Sequence, residues 1–254
     1  ASLPVLLAEE LWVDAGDILA TDLVLCPRQA PVRIGPEGEF FQAPRIDDLG
    51  CAYATLEGFL SAKGTERFGQ LYCLFDNEEV GSGTRQGAMS SFLPDVLTRI
   101  GEALGLSAQA RRQALAGSLL LSADNGHAVH PNFPEKADPA NKVYPNGGVV
   151  IKYSANQKYT TTGLTAGLFQ ALCQKAGVPV QVFANRADEP GGSTLGHRLG
   201  PQVSLPMVDI GMAQLAMHSA VETAGSRDPE YMARACAAFF QAEFTQTADG
   251  VYQF

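Results

Sequence analysis

Short apolar runs that alternate with longer helical patterns place the strongest constraint on how this chain can fold. From residue 71 onward, runs of a few apolar residues are followed by segments in which apolar side chains recur every three or four positions. This alternation is typical of an α/β fold, in which helices cover a sheet. At 254 residues, the chain can bury a substantial core in one large domain, or in one domain plus a fragment.

The individual elements follow from the same patterns. The apolar runs predict strands at residues 71–75, 118–122, 148–153, 180–183 and 204–210. The helical patterns predict helices at residues 52–62, 90–104, 164–176 and 229–244, and Gly177 can cap the third of these. Residues 1–39 carry short β-like runs and a Gly-Pro-Glu-Gly turn without a helical pattern of comparable quality, so they predict a separate β-rich element.

The charge and composition of the chain argue against two classes of binding partner, nucleic acids and membranes. The formal net charge of −9 argues against a nucleic-acid-binding surface, because phosphate binding depends on clustered Lys and Arg. No apolar run reaches the roughly 20 residues of a membrane-spanning helix, and the N-terminus lacks a basic segment leading into an apolar core. The five cysteines lack the spacing of a disulfide framework or a thiolate zinc site. We therefore expect no nucleic-acid or membrane partner and a reducing, cytoplasmic location.

Three carboxylates crowd the segment after the first apolar run, those of Asp76, Glu78 and Glu79. Sites in open α/β sheets form beyond the carboxyl ends of strands, and neighbouring carboxylates repel one another unless they share a proton or a cation. A divalent metal is the simplest solution, with one adjacent glutamate as a ligand and the other as the base that takes a proton from water. A solvated acidic turn is the alternative interpretation of this segment by itself.

A second cluster follows the predicted strand 118–122 and contains Asp124, His127 and His130. Two strands would then deliver metal-type ligands to one edge of the sheet, and Asp and His are standard zinc ligands. Either histidine could serve as a ligand, a substrate contact or a hydrogen-bonded structural group.

Two further clusters complete the set. His218 follows the predicted strand 204–210, which again places an imidazole near the carboxyl end of a strand. Asp47 and Asp48 lie ahead of the predicted helix 52–62, where an acidic pair by itself is usually a helix cap.

Taken in order, these clusters and the motifs between them resemble the aspartyl aminopeptidase family from about residue 40 to the C-terminus. The shared motifs are Arg-Ile-Asp-Asp-Leu at 45–49, Asp-Asn-Glu-Glu-Val-Gly-Ser at 76–82, Ser-Ala-Asp-Asn-Gly-His-Ala-Val-His-Pro-Asn at 122–132, Val-Ile-Lys at 150–152, Gly-Ser-Thr-Leu-Gly at 192–196 and Gln-Leu-Ala-Met-His-Ser at 214–219. A single motif of this kind is weak evidence, but six in the family's order are highly specific.

The resemblance implies a three-layer α/β/α sheet domain of the zinc-exopeptidase type. Residues 40–254 would form this metallopeptidase catalytic domain, and residues 1–39 would be a remnant of an inserted β-rich dimerisation domain. The implied function is that of a metal-dependent aminopeptidase that acts on peptides. The implied assembly is the family's closed homo-oligomeric shell, a dodecamer.

The resemblance also implies a metal site, and each of its residues can be named in this chain. Asp47 would bridge two divalent ions, Glu79 and His218 would complete one site, and Asp124 would contribute to the other. Glu78 would be the general base that activates water. Zinc is the expected ion, with cobalt or manganese as alternatives.

The resemblance also implies the residues that bind substrate. Lys152 would meet an acidic side chain at the N-terminus of the peptide, with Tyr159 nearby, while His130 and Gly192 would form other parts of the pocket. We therefore expect removal of N-terminal Asp or Glu. A preference for neutral residues is the alternative for the substrate. For Lys152 itself, the alternative is an ordinary lysine at a strand end.

Two departures from the family pattern bear on activity. The family draws one more histidine ligand from an N-terminal segment, and this chain has only His127, His130, His197 and His218. Asp48 stands where the family more often has Asn. One ion would then keep only two carboxylates, a donor set that binds zinc poorly. The alternative that the absent histidine favours is a truncated or non-catalytic relative with an incomplete metal site. A different dinuclear hydrolase, such as an amino-acid deacylase, shares the metal chemistry but does not explain the whole series of motifs.

Overall fold

The computed structural model describes residues 2–254. Its α-helices are α1 Leu3–Leu11, α2 Ile46–Ser61, α3 Phe92–Ala103, α4 Ala108–Ala116, α5 Gly163–Ala176, α6 Leu195–Leu199 and α7 Asp228–Gln241. Its strands are β1 Val32–Ile34, β2 Phe40–Ala43, β3 Leu120–Ala123, β4 Gly126–His127, β5 Val149–Tyr153, β6 Val180–Ala184, β7 Met207–Gly211, β8 Ala213–Leu215, β9 Glu222–Gly225, β10 Thr245–Ala248 and β11 Val251–Gln253. Within residues 2–254, no helix has the length and apolar character needed to cross a membrane.

Two sheets organise the chain. The central sheet has the strand order β3-β7-β5-β6, in which β3 runs parallel to β7, β5 runs parallel to β6, and β5 and β7 are antiparallel. The second sheet has the order β1-β2-β9-β8-β4. A separate hairpin is formed by β10 and β11.

Alternate residues of the central strands face two layers of helices, as the period of a strand requires. Val208 and Ile210 of β7 point into a core formed with α2, α5 and α7. Met207 packs on the other side, with Leu93 of α3 and Leu199 of α6. The sheet lies between the two helical layers, which confirms the predicted three-layer α/β/α fold class.

The helix predicted at residues 164–176 is observed as α5. A capping box starts it, because the side chain of Thr162 accepts from the N–H of Thr165 while the side chain of Thr165 accepts from the N–H of Thr162. Gly177 ends it with φ 64°, a left-handed conformation that costs glycine little. The strands predicted at 148–153 and 180–183 are β5 and β6.

The strand predicted at residues 71–75 is wrong. These residues form no strand, and their backbone groups make no hydrogen bonds within the described part of the chain. The segment and β3, an edge strand of the central sheet, both line a cavity of about 640 Å³. An apolar run becomes a strand only where another strand pairs with it, and no strand among residues 2–254 pairs with this segment.

The sequence of residues 1–39 shows short β-like runs and no helical pattern of comparable quality, but the structure contains the helix α1, Leu3–Leu11, in this segment. This helix is short and carries apolar residues along most of its length, so its sequence lacks the periodic contrast that marks a longer amphipathic helix. The hairpin of β1 and β2 pairs Ile34 with Phe40 and so crosses the predicted boundary after residue 39. The division into two domains remains a prediction.

The close approach of α2 to α7 provides a test of this packing. A Cβ atom at Gly58 would lie 2.6 Å from Cys236 Cβ and 2.7 Å from the carbonyl oxygen of Ala233. We expect Gly58→Ala to lower the free energy of unfolding by about 1–3 kcal/mol, because overpacking forces the two helices apart. Urea unfolding of the purified protein measures the change.

Gly167→Ala is the matched control, since Gly167 lies inside α5 and no atom is within 4 Å of the position of its added Cβ. We expect this variant to gain about 0.5–1 kcal/mol from the better helix propensity of alanine. Equal stability of the two variants would contradict the close helix contact at Gly58.

Candidate metal centre

Asp47 lies at the kinked start of α2. Its backbone (φ −84°, ψ 113°) and that of Asp48 (φ −115°, ψ 26°) depart from helical geometry, and the peptide bond between them is cis. Asp47 is 8% exposed, and its Oδ1 has no hydrogen-bond partner among the described residues. A buried carboxylate oxygen without a donor is costly, so a bound cation would satisfy it.

His218 and Glu79 meet Asp47 from two other parts of the chain. The Nε2 atom of His218 lies 3.2 Å from Asp47 Oδ2 and 3.0 Å from Glu79 Oε2. These three residues each offer one ligand atom, and all the atoms lie within 4.8 Å of one another. His218 follows β8 in the second sheet rather than the strand predicted at 204–210, which corrects how its position arises.

A second group of possible ligands shares Asp47. It consists of Asp47, Asp48 and Asp124, with ligand atoms again within 4.8 Å of one another. Asp48 was not among the predicted ligands, although its departure from the family pattern marked the position as unusual. The carboxylate and imidazole donors of the two groups match those that bind zinc, and the unpaired Oδ1 of Asp47 fits such an ion.

The crowding of these carboxylates changes their acidity. Burial, and then the neighbouring charges of Asp124 and Glu79, raise the pKa of Asp47 to about 9. Burial and the charges of Asp124 and Asp47 raise the pKa of Asp48 well above its usual range. Like charges held this close need a cation or shared protons.

Glu78 and Glu79 belong to a loop that follows the unpaired segment 71–75. A turn in which the N–H of Gly81 donates to the carbonyl of Glu78 at 2.9 Å shapes this loop. Glu78 is half-buried, and burial followed by the charges of Asp124 and Glu79 raises its pKa to about 7. A carboxylate with such a pKa can accept and return a proton near neutral pH.

Lys152 lies inside the site rather than in solvent. It is 2% exposed, and its ammonium group is 3.3 Å from Asp124 Oδ2 and donates to the carbonyl of Asn125 at 2.8 Å. The Nζ atom also lies 5.3 Å from the ring centroid of Tyr159. Burial opposes the charged form, but Asp124 and then Tyr159 raise the pKa of Lys152 above its ordinary value.

Asn125 is a structural residue of the site that sequence reasoning missed. It is 3% exposed, and its side chain donates to the carbonyl of Ile46 and to Gln214 Oε1, each at 2.8 Å. The thiol of Cys51 donates to its Oδ1, and its own backbone N–H donates to Asp48 Oδ1. A buried amide with two donors and one acceptor can join segments in this way, and its position beside Asp124 was the available signal.

The other predicted substrate residues lie apart from the two ligand groups. His130 accepts from the N–H of Asn132, and its ring lies 5.1 Å from that of Phe133 in a tilted arrangement, with both partners close to it in sequence. Gly192 is exposed, and no atom lies within 4 Å of the position that a Cβ would take there. Burial and the charge of His218 lower the pKa of His127, which belongs to neither ligand group. The roles of His130 and Gly192 remain predictions.

Comparison with known proteins identifies the family. The sequence profile described as Aminopeptidase I zinc metalloprotease (M18) matches residues 1–240. The chain belongs to the M18 family. A curated relative of this M18 chain, the probable M18 family aminopeptidase 2 of Clostridium novyi (strain NT), is 44% identical over 225 residues, which are 89% of this chain and 52% of the relative. The chain spans about half the length of the curated relatives it matches.

Solved structures of M18 proteins share the fold. A chain in the cryo-EM structure of the Ape4 and Nbr1 complex matches with a TM-score of 0.85 and 36% identity, covering 94% of this chain and 48% of that one. A chain of the S. cerevisiae mApe1 dodecamer matches with a TM-score of 0.80 and 30% identity, covering 94% of this chain and 54% of that one. The predicted family resemblance is therefore confirmed, and the family description agrees with zinc as the expected ion.

Asp47 provides the test of the metal centre, because its carboxylate belongs to both ligand groups. We expect Asp47→Asn to lose tightly bound zinc at both groups, since the amide has no negative charge to share between two ions. Elemental analysis after zinc loading and dialysis measures the ions per chain, and thermal unfolding verifies that the variant folds.

Asp76→Asn is the matched control, because Asp76 is exposed on the same acidic loop as Glu79 and belongs to neither group. It should keep the zinc content of the parent protein. Equal zinc content in the Asp47→Asn variant and the parent would argue against Asp47 as a shared ligand.

Proposed function

We propose that this chain forms the metal-binding catalytic part of an aminopeptidase that removes acidic N-terminal residues from peptides. The proposal rests on the observation that the carboxylate of Asp47 belongs to both ligand groups and lies beside the loop of Glu78 and Glu79. Membership of a zinc metalloprotease family supports hydrolysis as the chemistry.

The two adjacent glutamates divide the work in this proposal. Divalent ions held by the ligand groups would polarise the carbonyl of the first peptide bond and lower the pKa of the attacking water. Glu79 holds the ligand position next to His218, and Glu78 accepts the proton of the water as the new C–O bond forms. Glu78 then returns this proton to the nitrogen of the leaving amine as the C–N bond breaks.

Lys152 supports the preference for acidic N-terminal residues. Its ammonium group is a buried cation beside Asp124, and the ring of Tyr159 covers it. When Asp124 serves as a metal ligand, Lys152 keeps its charge and can donate to the carboxylate of a substrate Asp or Glu. His130 and Gly192 would form the outer parts of this pocket.

The two ligand groups would bind their ions with different affinities. The group with His218 combines two carboxylates with an imidazole, whereas the group with Asp124 has carboxylates alone. Zinc favours a nitrogen donor, so we infer that a further ligand would complete the coordination of the second ion. The cavity beside residues 71–75 is also lined by Asp48, Glu78 and Glu79, so an added segment in this cavity would reach the site.

Assembly and location are part of the same proposal. The mApe1 chain that this chain resembles forms a dodecamer, and we infer a closed homo-oligomer of that kind for the complete protein. The cysteines described by the structure are free thiols, which supports a reducing, cytoplasmic setting.

A non-catalytic relative with an incomplete metal site is the second candidate. The carboxylate-only composition of the second ligand group favours it, because a single ion would leave the substrate amine without a partner. Two ions per chain together with hydrolysis of Asp-anilide would support the aminopeptidase. One ion or none, without turnover, would support the second candidate.

Glu78 is the residue on which turnover should depend most. We expect Glu78→Gln to keep the zinc content of the parent protein and to lower kcat for Asp-anilide by about 100- to 10,000-fold, because the amide cannot accept the proton of water. Steady-state kinetics of the zinc-loaded protein measure the loss.

The neighbouring variant Glu79→Gln separates the two roles, since it should lose zinc as well as turnover. Asp76→Asn should retain both, because Asp76 lies outside the ligand groups. A Glu78→Gln variant that keeps the parent's kcat would exclude Glu78 as the general base.

Lys152 determines substrate preference if the proposal holds. We expect Lys152→Met to lower kcat/KM for Asp-anilide relative to Leu-anilide by roughly 10- to 100-fold, the loss typical of a hydrogen bond to a charged group. The ratio of the two kcat/KM values is the measurement, with zinc content determined in parallel because Lys152 also pairs with Asp124.

Lys158→Met is the control, since Lys158 lies near the same pocket and donates to the carbonyl of Gly191. It should leave the ratio unchanged. An unchanged ratio in the Lys152→Met variant would instead support a preference for neutral residues.

A further inference from the structure

Glu222 is a buried carboxylate that the proposed chemistry does not use. It begins β9 and is 2% exposed. In the second sheet β9 lies between β2, which leads toward Asp47, and β8, which leads toward His218. The sheet therefore places this side chain between the backbones of two expected metal ligands.

The two oxygens of Glu222 bind one ligand residue each. Oε2 accepts a hydrogen bond from the backbone N–H of Asp47 at 2.8 Å, and Oε1 accepts one from the backbone N–H of His218 at 2.7 Å. No ion pair involves Glu222 within the described part of the chain, so these two N–H groups are the donors that offset the burial of its charge.

Neither Asp47 nor His218 has the backbone conformation of a regular helix or strand. Asp47 departs from the helical geometry of α2, and His218 has φ 65°, a left-handed conformation that is uncommon for residues other than glycine. A conformation of this kind persists when surrounding contacts determine it. Glu222 makes such a contact with each of the two residues.

We propose that Glu222 is a positioning residue for the metal centre. By holding both N–H groups, it places the carboxylate of Asp47 and the imidazole of His218 at the separation of 3.2 Å that brings their ligand atoms together. Its removal releases two ligands at once, although Glu222 itself does not belong to either ligand group. The inference rests on the proposed metal centre.

The first test uses Glu222→Gln, which replaces one acceptor oxygen with an NH₂ group and so sets a donor against a donor at one of the two N–H groups. Cobalt serves as the probe, because its visible absorption reports ligand geometry. We expect at least a 10-fold rise in the Kd for cobalt and a changed absorption spectrum, the loss typical when a residue that orients a ligand is removed.

The controls distinguish positioning from general destabilisation. Glu222→Asp keeps both acceptor oxygens on a shorter side chain and should recover part of the affinity. Glu230→Gln removes a carboxylate whose side chain is 75% exposed and should bind cobalt as the parent protein does. A merely structural role would lower the thermal stability of Glu222→Gln while leaving the Kd and the spectrum of the folded protein unchanged.

A second measurement on the unmodified protein covers the case in which Glu222→Gln fails to fold. The amide protons of Asp47 and His218 should exchange slowly with solvent, because the Glu222 carboxylate binds both. Fast exchange at both amides, or a folded Glu222→Gln variant with the Kd and spectrum of the parent, would overturn this inference alone. A parent protein that binds no cobalt would overturn the proposed metal centre together with it.

Discussion

Repulsion among buried carboxylates is the constraint on which the site and its surroundings depend. The ligand atoms of Asp47, Asp48 and Asp124 lie within 4.8 Å of one another, and burial adds to the cost of the charges of Asp47 and Asp48. Part of that cost is offset within the protein by the ammonium of Lys152 on Asp124 and by the backbone N–H of Asn125 on Asp48. The unpaired oxygen of Asp47 remains, and it identifies where a cation would bind.

The scaffold meets this constraint by bringing together segments that are far apart in the chain. The core of α2, α5 and α7 on one face of the central sheet fixes the helix that begins at Asp47. The second sheet brings β2 and β8 to either side of β9, so the two ligands that follow them approach each other. Asn125 then connects the strand end at Asp124 to the start of α2 through the carbonyl of Ile46. The metal centre is therefore a product of both sheets.

The candidate ligands differ in how firmly the protein holds them. Asp47 is buried and held by Glu222, whereas the side chain of Glu79 is 45% exposed on a loop that follows the unpaired residues 71–75. Segments with exposed and unsatisfied backbone groups open more readily than core strands. The proposed base and one proposed ligand thus lie on a loop that lines the cavity along β3.

The sequence by itself determined the family, the candidate ligand types and the regular elements with strong local signals. The adjacent Glu78 and Glu79, the Asp124 motif and His218 were found because each has its chemistry in a short stretch, and α5 with Gly177 was found because a helix is set by neighbours within a few residues. Only the tertiary structure decided that residues 71–75 form no strand, that Asp48 joins a candidate ligand group, and that Asn125 and Glu222 hydrogen-bond to members of these groups. These outcomes depend on partners distant in sequence, such as Asp47 and Glu222, which are 175 positions apart, and hydrogen bonds across that distance leave no local pattern.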